Sequence, residues 1–133
     1  MFFLLADVSS EIIGICGVVF VFKYECSRLC FYKEIYERFI IEGMTLPLDD
    51  KNTGFLGYEH FDMIMEKVEW ADTVLLGPGL GRHQSTQRLI KELFITIEKP
   101  LVLDSDGLFP FSGDIGKLFQ REYPLVITPH FGE

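Results

Sequence analysis

Three short apolar runs, "TVLL" at Thr73–Leu76, "LVLD" at Leu101–Asp104 and "LVIT" at Leu125–Thr128, constrain this chain more than any other feature. Each has the length of a strand, each ends in a turn, and a segment of helical period separates one from the next. Leu89, Ile90, Leu93, Phe94 and Ile97 form one helical stripe between the first two runs, stopped by Pro100. Ser85 or Thr86 is its natural N-cap, because a hydroxyl there can accept a bond from an orphan N–H. A weaker helix is expected over Ile115–Arg121. This alternation predicts an α/β fold with a parallel sheet and helices packed on its faces. Upstream, Val18–Phe22 is a further apolar run of strand length, and Ile35, Phe39 and Ile40 share a face in a helix expected over Phe31–Ile41. Met44–Leu48 reads as short and extended, while Phe61, Ile64, Met65 and Val68 recur at the spacing of an amphipathic helix.

A chain of 133 residues has room for one domain and one core. Thirteen Phe suggest a core built on bulky side chains. The formal charge of −8 argues against nucleic acid as a partner, because phosphate backbones are held by net positive charge. It leaves a bound nucleotide open, since backbone N–H groups can hold phosphate unaided. Cys16, Cys26 and Cys30 form no CxxC pair and find no partner set for a metal, so they read as free thiols of a reducing cytosol. The apolar N-terminus is interrupted by Asp7 and Glu11, and its longest uncharged run, Ile12–Phe22, is too short to span a bilayer. No basic region precedes it, as a secretory signal would require. It is expected to be core material of a cytoplasmic protein with no membrane partner.

In sheets of this kind, ligands bind beyond the carboxyl ends of the strands. The turns "GPGLG", "DSDGL" and "TPHFGE" all fall at that edge. Gly77, Gly79 and Gly81 match neither GxGxxG nor the phosphate loop GxxxxGK[ST], and no lysine follows to reach a phosphate. They serve either a tight strand-to-helix turn with positive φ, or a bare backbone against which a flat or anionic ligand lies. Asp104 and Asp106 could hold Mg²⁺ or a ribose or phosphate-bearing group, or simply cap a turn and face solvent. His130 could donate to a substrate or shuttle a proton, or be a surface residue. His60 and His83 share no ligand-like spacing with it. Arg82 and His83, at the start of the helix, are placed to contact an anion or to face solvent. Trp70 reads as a packing residue, and Glu66 and Glu69 as a solvated helix face.

Taken in order, "ADTVLLGPGLGR", "KPLVLDSDGL" and "LVITPHFGE" resemble the carbohydrate-kinase-like NAD(P)H-hydrate dehydratases, a branch of the ribokinase-like fold. The "TPH-x-GE" form resembles their ADP-dependent members, and "MTLPLDD" at 44–50 is similar to the segment they carry before the glycine turn. The resemblance covers about Met44–Glu133, with residues 1–43 divergent, and implies a single partial carbohydrate-kinase-like domain over 1–133. It implies a lyase that repairs hydrated NADH or NADPH, with ADP or ATP as phosphoryl donor and Mg²⁺ as cofactor. Gly81 and His130 would contact the hydrated nucleotide, Gly77 and Gly79 would shape the turn, and Asp104 and Asp106 would line the same cavity. Ser105 stands where the family usually has Ala, and Phe131 where it has Pro. Family members continue through a lysine-bearing nucleotide segment and a GxGD turn whose aspartate is the base. Neither lies in residues 1–133, so the ribokinase-like sheet is expected to be incomplete, lacking its C-terminal strands and nucleotide segment. No catalytic residue is therefore expected in this chain, which alone should be inactive. The resemblance also allows a homo-oligomer of the full-length protein. Two alternatives stand beside it: a kinase of a small alcohol, such as a vitamin precursor or sugar, and a non-catalytic nucleotide-binding remnant.

Overall fold

Six strands form one sheet in the order β3-β1-β2-β4-β5-β6. The computed structural model describes residues 2–8, 17–23, 43–48 and 53–130, with side chains described at Leu48 and over 53–130. The helix expected over Phe31–Ile41, the three cysteines and residues 131–133 lie outside the described residues. In chain order the elements are β1 (Phe2–Val8), β2 (Gly17–Lys23), β3 (Gly43–Leu48), helix α1 (Phe61–Trp70), β4 (Thr73–Leu76), helix α2 (Gln84–Thr96), β5 (Leu101–Asp104) and β6 (Leu125–Thr128).

The expected parallel arrangement holds from β2 through β4 and β5 to β6. The other end of the sheet is antiparallel: β1 pairs with β2 on one side and with β3 on the other. The N-terminal apolar stretch thus contributes a strand of its own, β1, which its apolar composition did not distinguish from general core material. Among the described residues no helix is long and apolar enough to cross a membrane.

Register ties the strands to the core. Val74 faces Leu101 across the β4–β5 ladder and Leu76 faces Leu103, and all four are buried. The alternate residues, Thr73, Leu75 and Val102, are only partly covered. One side of this pair of strands is therefore fully buried and the other half-buried. Helix α1 adds Ile64 and Val68 to the core, and α2 adds Leu89, Ile90, Leu93 and Phe94. Burying side chains of this size stabilises by roughly 2 kcal/mol each. The core is mostly Leu, Ile and Val, with Phe94 and Phe111 the buried phenylalanines among the described residues. Trp70 ends α1 and is 46% exposed, so it is not the packing residue its position suggested.

The helix C-termini are held by cations from segments 22–30 residues further along the chain. Lys99 donates its ammonium to the carbonyls of Glu69 (2.6 Å) and Ala71, at the end of α1. Arg121 donates to the carbonyls of Phe94, Ile97 (2.5 Å) and Lys99 (2.7 Å), at and just past the end of α2. Carbonyls at a helix end have no partner within the helix and carry the negative end of its dipole, so a cation satisfies both demands. Burial lowers the Arg121 guanidinium from its usual pKa, opposed by the Tyr123 hydroxyl beside it. Arg121 precedes β6, and the weaker helix expected over Ile115–Arg121 is a 3-10 helix at Ile115–Gln120.

Candidate functional site

Parallel pairing puts the residues after β4, β5 and β6 at one rim. Leu76 is level with Leu103, and Asp104 with Thr128, so the three motif turns begin side by side. The first two are locked together by glycine. A Cβ on Gly77, whose φ is 138°, would lie 1.8 Å from the Asp104 carbonyl oxygen and 2.7 Å from the Gly107 nitrogen. Gly107 returns the approach, since a Cβ there would meet the Leu76 carbonyl oxygen at 2.5 Å. Gly77 is glycine because another backbone lies against it.

Gly81 is glycine for a different reason. Its φ is 83°, in the left-handed region, and nothing lies within 4 Å of where its Cβ would stand. Gly79, at φ 66°, completes the turn, and the Leu80 N–H donates to the Gly77 carbonyl at 3.1 Å. The Gly81 N–H donates to Asp106 Oδ2 at 2.8 Å, and its carbonyl accepts from Gln87 Nε2 at 3.0 Å. Asp106 reaches back because β5 runs into a 3-10 turn, Ser105–Gly107, in which Ser105 takes a left-handed φ of 49°. That conformation is uncommon for a side-chain-bearing residue and costs on the order of 1 kcal/mol.

The remaining site residues fall around this lock. Arg82 Nε lies 3.5 Å from Asp106 Oδ1, and its guanidinium sits 4.5 Å from the centre of the Phe109 ring. Asp104 Oδ1 accepts from the Thr128 hydroxyl at 2.7 Å, which fastens the third turn to the second. His130 follows two residues on and is exposed. Between the turns opens a cleft of about 350 Å³, lined by Arg82, Ser105, Leu108, Phe109, Ile127 and Pro129 among others. A larger hollow of about 640 Å³ lies at the edge where β6 begins, around Phe94, Glu98, Arg121 and Tyr123. It contains none of the motif residues, and its arginine is engaged with helix carbonyls. The rim cleft is the better candidate.

Asp104 and Asp106 are tied into the turns: three of their four oxygens face a hydroxyl, an amide and a guanidinium, and among the described residues no group of three or more His, Cys, Asp or Glu could hold a metal ion. The N-cap of α2 is His83, not Ser85 or Thr86. Its Nδ1 accepts from the Ser85 N–H at 3.3 Å, and its ring stacks on Phe55 at 3.6 Å between centroids. Thr86 is buried and bonds the Leu56 carbonyl at 2.7 Å, tying the 53–57 segment to the helix. Sequence reasoning missed Gln87, Gly107 and Thr128. Thr128 and Gly107 sit within the motifs themselves, whereas Gln87 is one polar residue on a polar first turn and gives no local signal.

A mixed α/β sheet whose parallel strands gather their end turns at one rim has the architecture of the α/β class in which ligands lie beyond the strand ends. This chain belongs to the NAD(P)H-hydrate dehydratase family, whose pattern it matches over residues 3–133. It is 42% identical over 94 residues to a bifunctional NAD(P)H-hydrate repair enzyme of Salinibacter ruber, covering 70% of this chain and 17% of that relative. A protein of the same description from Gloeobacter violaceus is 44% identical over 92 residues, covering 69% of this chain and 17% of the relative. The Escherichia coli protein of that description is 36% identical over 72 residues, covering 54% and 13%. The chain thus spans about a sixth of the length of the curated relatives it matches.

Proposed function

We propose that this chain is the substrate-facing part of an ADP-dependent (6S)-NAD(P)H-hydrate dehydratase, a lyase of nicotinamide-cofactor repair. The observation that carries the reading is the single rim: three motif turns meet there, and Gly81 presents open space where a side chain would stand. In this reading the damaged dinucleotide lies over Gly81, with Gly77 and Gly79 setting the turn; Asp104 and Asp106, which do not line the rim cleft, hold the turns beside it. His130, exposed on the same rim, contacts the substrate from the third turn. The donor, ADP or ATP with its Mg²⁺, is held by other residues, because the carboxylates at this rim are already engaged. Phosphorylation converts the added hydroxyl into a phosphate leaving group; loss of that phosphate with a ring proton restores the double bond. What these residues contribute is position: a bound ring held against rigid backbone loses its freedom before the chemistry begins. The reading places the protein in the cytosol, with hydrated NADH or NADPH as its small-molecule partner, and gives the 133-residue chain binding without turnover.

Calorimetry of the chain with NADH hydrate, and absorbance of restored NADH on adding ADP or ATP with Mg²⁺, test it. Binding of the hydrate without turnover is expected. Absence of hydrate binding, or a stable phosphorylated alcohol as product, overturns the reading.

A further inference from the structure

The glycine turn looks from its composition like a place for phosphate, yet two of its amides, that of Gly81 among them, are already in use. Loops that cradle phosphate present successive free N–H groups to the anion. Here the Leu80 N–H is bonded to the Gly77 carbonyl at 3.1 Å, and the Gly81 N–H to the Asp106 carboxylate at 2.8 Å. The Gly81 peptide is gripped from its other end as well, by Gln87 Nε2 on its carbonyl at 3.0 Å. Asp106 is itself held by Arg82 and by the turn through Ser105, with only 22% of its side chain exposed. A phosphate seated at Gly81 would have to displace a carboxylate from the amide it needs, and would meet that like charge at hydrogen-bond range.

We propose that Asp106 and Gln87 are positioning residues that clamp the Gly81 peptide, so that this point of the rim takes an uncharged, flat portion of the ligand and rejects phosphate. On the functional reading above, that portion is the hydrated nicotinamide ring or its ribose, and the pyrophosphate lies away from Gly81. Both residues act through Gly81, and neither needs to touch the ligand.

Amide NMR on the 133-residue chain tests this with two probes. Inorganic phosphate titrated into the wild type should leave the Gly81 amide unshifted; a saturable shift there overturns the proposal, and this arm needs no variant to fold. Hydrogen exchange at Gly81 should quicken about tenfold or more in Asp106→Ala while Leu93 in α2 keeps its protection. Asp106→Asn, which retains an acceptor, should return Gly81 to within about threefold of the wild type. Gln87→Leu should quicken Gly81 without changing Leu93. Gly81 exchange that is unaltered in Asp106→Ala and Gln87→Leu overturns the clamp. NADH hydrate is titrated separately: if it leaves Gly81 unmoved, the functional reading falls while the clamp stands, and a phosphate shift sinks the clamp while the functional reading stands.

Discussion

A methyl group added at Gly77 would stand 1.8 Å from a backbone oxygen of the neighbouring turn, whereas one added at Gly81 would touch nothing. The same substitution should therefore give opposite outcomes at two positions four residues apart. Gly77→Ala forces the β4 and β5 ends apart and is expected to destabilise the chain by about 3 kcal/mol or more, read as a fall in the urea midpoint. Gly81→Ala carries only the strain of a left-handed alanine, about 1 kcal/mol. It should lower the urea midpoint by only about a third as much as Gly77→Ala while weakening NADH-hydrate binding about tenfold or more, because the new methyl occupies the open face. Thr86 makes a third case. Its hydroxyl is buried against the Leu56 carbonyl, so Thr86→Val strands that carbonyl and should cost about 1–2 kcal/mol in chemical unfolding.

Among the elements, α2 is fixed at both ends by groups its own hydrophobic stripe does not reveal. His83 caps the start and the Arg121 fork covers the carbonyls at the finish. Arg121→Ala leaves those carbonyls without the cation and is expected to cost about 2–3 kcal/mol, measured by thermal unfolding. Arg121→Lys should recover only part of this, since one ammonium cannot span carbonyls that the planar fork reaches together. The β4–α2–β5 unit was the most legible stretch of the chain. "TVLL" and "LVLD" begin and end at the residues their apolar pattern marks, because four-residue strands bounded by Asp, Gly and Pro leave little room for drift. The stripe Leu89, Ile90, Leu93 and Phe94 is buried as its spacing requires. The cap was misplaced because the stacking of His83 on Phe55 and the engagement of Thr86 with Leu56 are both contacts to a distant segment.

At the scale of the molecule, exposure among the described strands rises towards the β6 edge. Strands β4 and β5 are buried on one side, but β6 leaves Val126 56% and Ile127 43% exposed, and Phe119 before it 83%. An open edge with apolar side chains is a surface for pairing with another chain. The isolated chain is expected to show a concentration-dependent mass by light scattering, and Val126→Lys to bring it towards the monomer without moving the melting temperature appreciably. A wild-type mass independent of concentration would remove the edge from consideration.

By itself the sequence determined the order of strands and helices from Phe61 to Thr128, the parallel direction of the last three strands and the rim at which their turns must gather. All of these follow from local periodicity and the length of each connection. The family follows too, since it is written in those same turns. Only the tertiary structure separated the glycines by role, with Gly77 against a neighbouring backbone and Gly81 facing open space, and showed that Asp106 and Gln87 hold the Gly81 peptide. It also decided the antiparallel end of the sheet. The physical reason is range: propensity and hydrophobic period act within a dozen residues, whereas the bond from Gly81 to Asp106 joins residues 25 apart. No local pattern encodes a contact that exists only after two strands have paired.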